Sequence, residues 1–380
     1  MATVVGMGAV EAACSSSSSN GFADSTGPGA GTGSGGGIGG GATGGEGGSG
    51  QATEDAGRPP VTSALFVNAM PSAIVSDSAL LLCWATVGDA GELVFPPVQP
   101  FPSSPMPESN YPGIALGTAV LLPDASSLIA EPVTFVVIRA LRLARAIDEV
   151  GGDAGDVTCD QLFKAMPRVS LDAPDYFALP AVTLYPDVPN LVAVTGCAPS
   201  IIAQAANPQS CGPSYDAAKG NLSAQVFSLS PSSGAAGSLS LQVVQLSPGL
   251  AGLLGDAGTA TVSFGTTSMA TQTLASVGAV GDVSPPSNVL SVPSLDTDGV
   301  HLLTPAADGG TNDFFLSLAQ AQQLADPTAD PTAYYSATGT YVAAIVGDPA
   351  APPPFASSAD SGVYDGTGLH FVVAPAQPSN

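Results

Sequence analysis

Charge is the scarcest resource in this chain. Only 10% of its 380 residues are Asp, Glu, Lys or Arg, against about 25% in an ordinary soluble domain. Of those few charges, 7 are basic and 31 acidic, which leaves a formal net charge of −24. A field of that sign repels nucleic acid, and no basic cluster is available to release its counterions. Arg139, Arg142 and Arg145, spaced three apart, would share one helix face. A solvated face explains them as well as an anion site does. So acidic a surface is also a poor fit to anionic lipid, so any membrane association is expected to run through the N-terminus alone.

Other absences narrow the chemistry. Histidine occurs twice, at His301 and His370, too rarely for a His-rich metal centre. Both sit in apolar strand-like contexts that suit half-buried sheet residues. A Gly-x-Ser-x-Gly elbow is lacking, and the Gly-x-Gly-x-x-Gly matches fall in a glycine-rich stretch, not between a strand and a helix. No apolar run reaches the roughly 18 residues that a membrane-spanning helix needs. Catalytic residues are therefore not assigned.

What the chain has in abundance is glycine (46) and proline (35), alongside 44% hydrophobic residues. Turn formers at that density favour short strands over long helices, and the apolar supply suffices for a large core. Between Gly27 and Gly50, 15 of 24 residues are glycine, with no apolar periodicity. Such a segment cannot bury enough surface to offset its ordering entropy, so residues 15–60 are expected to be a disordered Ser/Gly tether. As a flexible coil they would span roughly 35–40 Å. Residues 61–230 and 238–375 then form two β-rich domains joined at Pro231–Gly237, and 376–380 a tail.

The strand candidates are Leu80–Ala85, Val133–Ile138, Ala224–Leu229, Ala260–Phe264 and Leu369–Val373, all β-branched or aromatic and bounded by turn signals. Their spacing points to a mostly β fold of two tandem antiparallel β-sandwich (Ig-like) domains with few short helices. Helices are expected over Cys159–Met166 and over Asp313–Ala325, the latter capped by Asn312 or Asp313 and stopped by Pro327. The β regions also look like copies of one another. Leu65–Ile74 lies on Leu241–Leu250, and Leu191–Gly196 on Tyr341–Gly347 with one insertion. Trp84, the sole tryptophan, is expected in a sheet interior or against a covering loop. Phe95–Pro102 is expected to lie extended along a sandwich edge and shield it, or to form a ligand groove.

Five cysteines are present. Cys14 follows a short apolar stretch and precedes Ser15–Ser19, so residues 1–14 read as a signal-like remnant ending at a lipidation cysteine. Two departures are a missing positive n-region and Glu11 in place of an aliphatic residue. Either the start lies upstream or Cys14 is a free thiol. Cys83, Cys159, Cys197 and Cys211 contain no C-x-x-C pair, which favours two disulfides in an oxidising compartment over a metal site. Of the three connectivities, Cys197–Cys211 is favoured because Ala198–Ser210 reads as a local loop, and Cys83–Cys159 follows by elimination. Free buried thiols are the alternative. Calcium is the one cofactor with candidates: Asp296, Asp298, Asp308 and Asp313 lie in short acidic turns, none of which completes an EF-hand loop, and exposed turn aspartates explain them equally well.

With Cys14 and its tether, Met106–Gly113 (Met-Pro-Glu-Ser-Asn-Tyr-Pro-Gly), Ala193–Cys197 (Ala-Val-Thr-Gly-Cys) and Gly339–Val342 (Gly-Thr-Tyr-Val), the chain resembles uncharacterised bacterial cell-envelope lipoproteins that carry repeated β-sandwich domains of unknown function. The resemblance implies export, anchoring at the outer membrane or cell surface or residence in the periplasm, and no catalytic residues. The expectation is a non-catalytic structural, adhesive or ligand-binding protein with a protein or polysaccharide partner. The alternative is a hydrolase of envelope or external polymer, which would need two carboxyls about 5–10 Å apart.

Overall fold

In a computed structural model of the chain, the residues described are 62–71, 80–102, 113–139, 150, 157–165, 176–198, 210–212, 214–230, 238–255, 258–289, 294–306, 309–325, 334–335, 339–351 and 368–376. The expectations for Cys14, for the tether and for Asp308 lie outside them.

Sixteen short strands dominate the described residues, as the abundance of turn formers and β-branched residues leads one to expect. In the first half they are β1 (Ala64–Asn68), β2 (Leu80–Val87), β3 (Leu93–Val94), β4 (Ala119–Leu122), β5 (Thr134–Arg139), β6 (Tyr176–Ala178), β7 (Asn190–Thr195) and β8 (Ser223–Ser228). In the second they are β9 (Leu239–Gln245), β10 (Ala260–Thr266), β11 (Met269–Val277), β12 (Ser287–Val289), β13 (Asp298–Pro305), β14 (Thr311–Ser317), β15 (Thr340–Val346) and β16 (His370–Pro375). Three helices accompany them: α1 (Cys159–Ala165), α2 (Pro248–Leu254) and α3 (Leu318–Ala325).

The strands form four sheets, ordered β3-β2-β5-β6, β4-β1-β7-β8, β12-β9-β15-β16 and β11-β10-β13-β14. Adding eight to each strand number in the first two orders reproduces the last two. Each half is thus the same eight-strand sandwich. Pairing is antiparallel except between β1 and β7 and between β9 and β15, which run parallel.

Hydrogen bonds repeat along with the topology. Ala69 N–H donates to the Val194 carbonyl at 2.9 Å, and Leu246 N–H to the Ile345 carbonyl at the same distance. Gly117 N–H donates to Asn68 and Gly281 N–H to Gln245, at 2.9 and 2.8 Å. These bonds set the equivalences between the halves and correct the sequence alignment by one residue. Leu65 pairs with Leu191 and Gln242 with Val342, so Leu65 corresponds to Gln242 and not to Leu241. A one-residue slip exchanges the two faces of a strand, so the correction matters.

The faces explain why the slip was easy to make. Ala64, Phe66, Val192 and Val194 turn toward Leu80, Leu82, Phe135 and Val137 and form the core of the first sandwich. Leu241, Val243, Tyr341 and Ile345 do the same against Val262, Phe264, Val300 and Leu302 in the second. The alternate residues Leu65, Val67, Leu191 and Ala193 meet Val244, Val342, Ala344 and Val372 in a third apolar layer shared by both halves. The four sheets therefore stack in series, with β3-β2-β5-β6 and β11-β10-β13-β14 outermost. Strands of the inner sheets are buried on both faces: β1, β7 and β9 have no exposed residue. They read as unbroken apolar runs without a visible period. Because of the shared layer, Arg58–Asn380 is one compact unit.

The expected helix over Asp313–Ala325 is corrected at its N-terminal half. Thr311–Ser317 is strand β14, paired antiparallel with β13 from Pro305↔Thr311 to Gly299↔Ser317. Ladder bonds and burial of Leu316 prevail over local helix propensity here. The helix begins one turn later and has its own capping box. Ser317 Oγ accepts from Gln320 N–H at 3.2 Å, while Gln320 Oε1 accepts from Ser317 N–H at 3.1 Å.

Candidate functional site

The two outermost faces of the stack differ. On the first half, Leu81, Cys83 and Ile138 point outward from β2 and β5 and are covered by Val157, Cys159 and Leu162 of α1 and the residues leading into it. A disulfide joins Cys83 to Cys159, 76 residues apart in sequence and 5.8 Å between Cα atoms. Phe163 stacks on Phe95 at 4.0 Å and meets Tyr176 edge-on at 4.8 Å, extending the cover. Phe101 exchanges backbone hydrogen bonds with Leu82 at 2.8 and 2.9 Å, which ties the Pro-rich segment to β2 at that residue. Trp84 is half-buried against the first core.

The second disulfide, Cys197–Cys211, closes a separation of 14 residues. Asn221 holds this loop together: its Oδ1 accepts from Cys197 N–H at 2.8 Å, and its Nδ2 donates to the Cys211 carbonyl at 2.8 Å. The loop also reaches the second half, where Ser210 Oγ donates to the Asp348 carboxylate. Both disulfides place the described chain in an oxidising, extracytoplasmic setting. No helix among the described residues is long and apolar enough to cross a membrane.

On the second half the outward face of β11-β10-β13-β14 bears Ser, Thr and a histidine. His301, on β13, lies on the face opposite the core residues Val300 and Leu302, yet its side chain is only 1% exposed. Its cross-strand neighbours are Ser263 on β10 and Phe315 on β14, the latter with ring centroids 4.7 Å apart. Nδ1 lies 3.0 Å from both carboxylate oxygens of Asp313, and Nε2 lies 2.9 Å from the Thr266 carbonyl. Both ring nitrogens thus face acceptors. Serine, histidine and aspartate do come together here, but not as a nucleophilic triad. The nitrogen that would take a proton from Ser263 is occupied by a backbone carbonyl.

His370, the other histidine, belongs to the junction between the halves. Its Nδ1 lies 2.5 Å from the Gly368 carbonyl and its Nε2 3.1 Å from the Gly117 carbonyl in the first half. Burial pushes its pKa below the ordinary histidine value of 6.5, and the two carbonyls oppose that shift without cancelling it. Both histidines are sheet residues, as expected, but they are fully rather than half buried.

The described calcium candidates, Asp296, Asp298 and Asp313, do not converge. Asp298 Oδ2 accepts from Ser294 N–H at 2.8 Å, Asp313 pairs with His301, and Asp296 is exposed. Among the described residues no three His, Cys, Asp or Glu side chains group as metal ligands would. The sequence hides the His301–Asp313 pair because Asn312 and Asp313 read as caps of a helix. Reading Ala306–Gly310 as a hairpin turn would have set residues 301 and 313 on neighbouring strands. No protein-family model matches the sequence, and no relative is found among curated proteins.

Proposed function

We propose that this chain is a non-catalytic envelope protein, lipid-anchored through Cys14 and held off the membrane by its Ser/Gly tether, with a structural, adhesive or ligand-binding role. The observation that carries the reading is the pair of disulfides. One fastens α1 onto the β stack and the other joins Cys197, just after β7, to Cys211, and such bonds persist only where thiols are kept oxidised. The duplicated stack supports a mechanical or presenting role, since its two inner sheets meet in a shared apolar layer. His301, whose ring nitrogens face Asp313 and the Thr266 carbonyl, is not placed as the base of a Ser-His-Asp triad.

The test is to fractionate the native cell, recover the protein and determine the mass of its N-terminal peptide. A mature chain beginning at a diacylated Cys14 in the envelope fraction agrees with the proposal. An unmodified N-terminus on protein from the cytosol contradicts it.

A further inference from the structure

We propose that the free edge of β14 is a docking site for an extended polypeptide segment bearing lysine or arginine, which adds to the outermost sheet of the second half as a further strand. The inference stands apart from anchoring at Cys14, since it concerns only the backbone and side chains of this edge. Most edges of the four sheets are guarded. β3, β6 and β12 are two or three residues long, and β4 has four. The register of β11 against β10 shifts twice, which turns an edge away from further pairing. On β16 the Tyr334 hydroxyl donates to the Val373 carbonyl. By contrast, β14 has seven residues, pairs with β13 without a shift, and contains neither proline nor lysine.

The hairpin decides which backbone groups are open. At its turn Ala306 N–H donates to the Gly310 carbonyl at 3.0 Å. Carried along the register in steps of two, the ladder bonds to β13 fall on Asn312, Phe314 and Leu316. The N–H and C=O of Thr311, Asp313 and Phe315 therefore point away from β13, and none of them finds a partner among the described residues. Thr311 and Asp313 are exposed and Phe315 is half-buried. An alternating row of unpaired donors and acceptors is complementary to one kind of partner, another extended chain.

Side chains give that partner its chemistry. Asp313, the one charged residue of β14, lies on the outward face and is 46% exposed. Phe314, on the opposite face, is only partly buried against the second core. A strand with a basic residue opposite Asp313 and an apolar one beside Phe314 matches both. A second copy of this chain does not. Antiparallel pairing of β14 with its copy sets the two Asp313 carboxylates opposite or diagonal to each other, on molecules that each carry a net charge of −24.

The experiment adds the peptide acetyl-Lys-Val-Lys-Val-Lys-Val-Lys-amide to the full chain and reads amide exchange residue by residue. In the free protein the Asp313 and Phe315 amides should exchange fast, and those of Phe314 and Leu316 slowly. Saturating peptide should slow Asp313 and Phe315 by about fivefold to tenfold, the size of a net backbone hydrogen bond. A fully N-methylated peptide keeps the charge but cannot donate to the edge, and should leave both amides fast. Below saturation, Asp313→Asn should be protected less than wild type. Asp313 and Phe315 amides already slow in the free protein, or unchanged by the peptide, would overturn the proposal. So would equal slowing by the N-methylated peptide, or equal protection of Asp313→Asn. Protection that grows with protein concentration in the absence of peptide would place a second copy on the edge and overturn the choice of partner.

Discussion

Gly196 and Gly347 occupy the same position in the two halves of the molecule. Each closes the strand that runs parallel to the opening strand of its half, and their φ angles are 84° and 87°. The left-handed conformation turns the chain out of the sheet at once, which only glycine does without strain. At Gly196 a second constraint applies: a Cβ there would lie 2.3 Å from the Asn221 carbonyl oxygen, on the residue that pins the disulfide loop.

Gly196→Ala should therefore destabilise the protein by more than the roughly 1–2 kcal/mol of the left-handed conformation alone. Chemical denaturation measures it. A loss below about 0.5 kcal/mol, the range of an ordinary surface substitution, would mean that Asn221 moves aside freely.

The shared layer predicts that both halves unfold together. Leu65 is 2% exposed and lies in that layer, so Leu65→Ala should cost about 2–5 kcal/mol. Trp84 fluorescence reports the first half, and hydrogen exchange of the amides of β9 and β15, read along the same denaturant series, reports the second. Both signals should shift by the same amount. Two separated transitions, with only the tryptophan signal displaced, would refute the single-unit description.

Replacing Cys83 and Cys159 together by serine should remove about 4 kcal/mol, as expected for opening a loop of 76 residues. The same change at Cys197 and Cys211, which are 14 residues apart, should cost less, about 3 kcal/mol. Thermal melting of both double variants under identical conditions gives the ranking. The reverse order would show that inter-half contacts of the 197–211 loop, such as Ser210 with Asp348, outweigh loop length.

His370 sets an acid limit on stability. Its folded-state pKa is held below 6.5 by burial, so the unfolded chain binds the proton more readily. That contribution is complete above the unfolded value and is lost as pH falls toward the folded one. Urea midpoints should drop between pH about 7.5 and 5.5, and His370→Gln should flatten this slope. A midpoint in wild type that rises over that interval would contradict the assignment.

Much of the architecture was legible because strands with one polar face announce themselves. Thr261-Val-Ser-Phe264 alternates, and β10 duly has Val262 and Phe264 inside. The inner strands were legible as strands but not in register, since residues such as Leu191 to Val194 are apolar on both faces. Only the ladder with β1 reveals which of them belongs to which layer. The strand at Thr311–Ser317 was hidden because Asn312 and Asp313 also read as helix caps, and only the hairpin ladder with β13 decides between the two. At the site, cysteine count and loop composition favoured the pairing found, whereas the His301–Asp313 contact depends on a hairpin register that composition does not carry.

The central claim is that the duplicated stack matures in an oxidising compartment with both disulfides formed. The direct measurement is peptide mapping of protein recovered from native cells, alkylated before and after reduction. The account predicts two linked peptide pairs, Cys83 with Cys159 and Cys197 with Cys211, with none of the four alkylated until a reductant is added. Four thiols alkylated without reduction would contradict it and remove the main support for an extracytoplasmic protein.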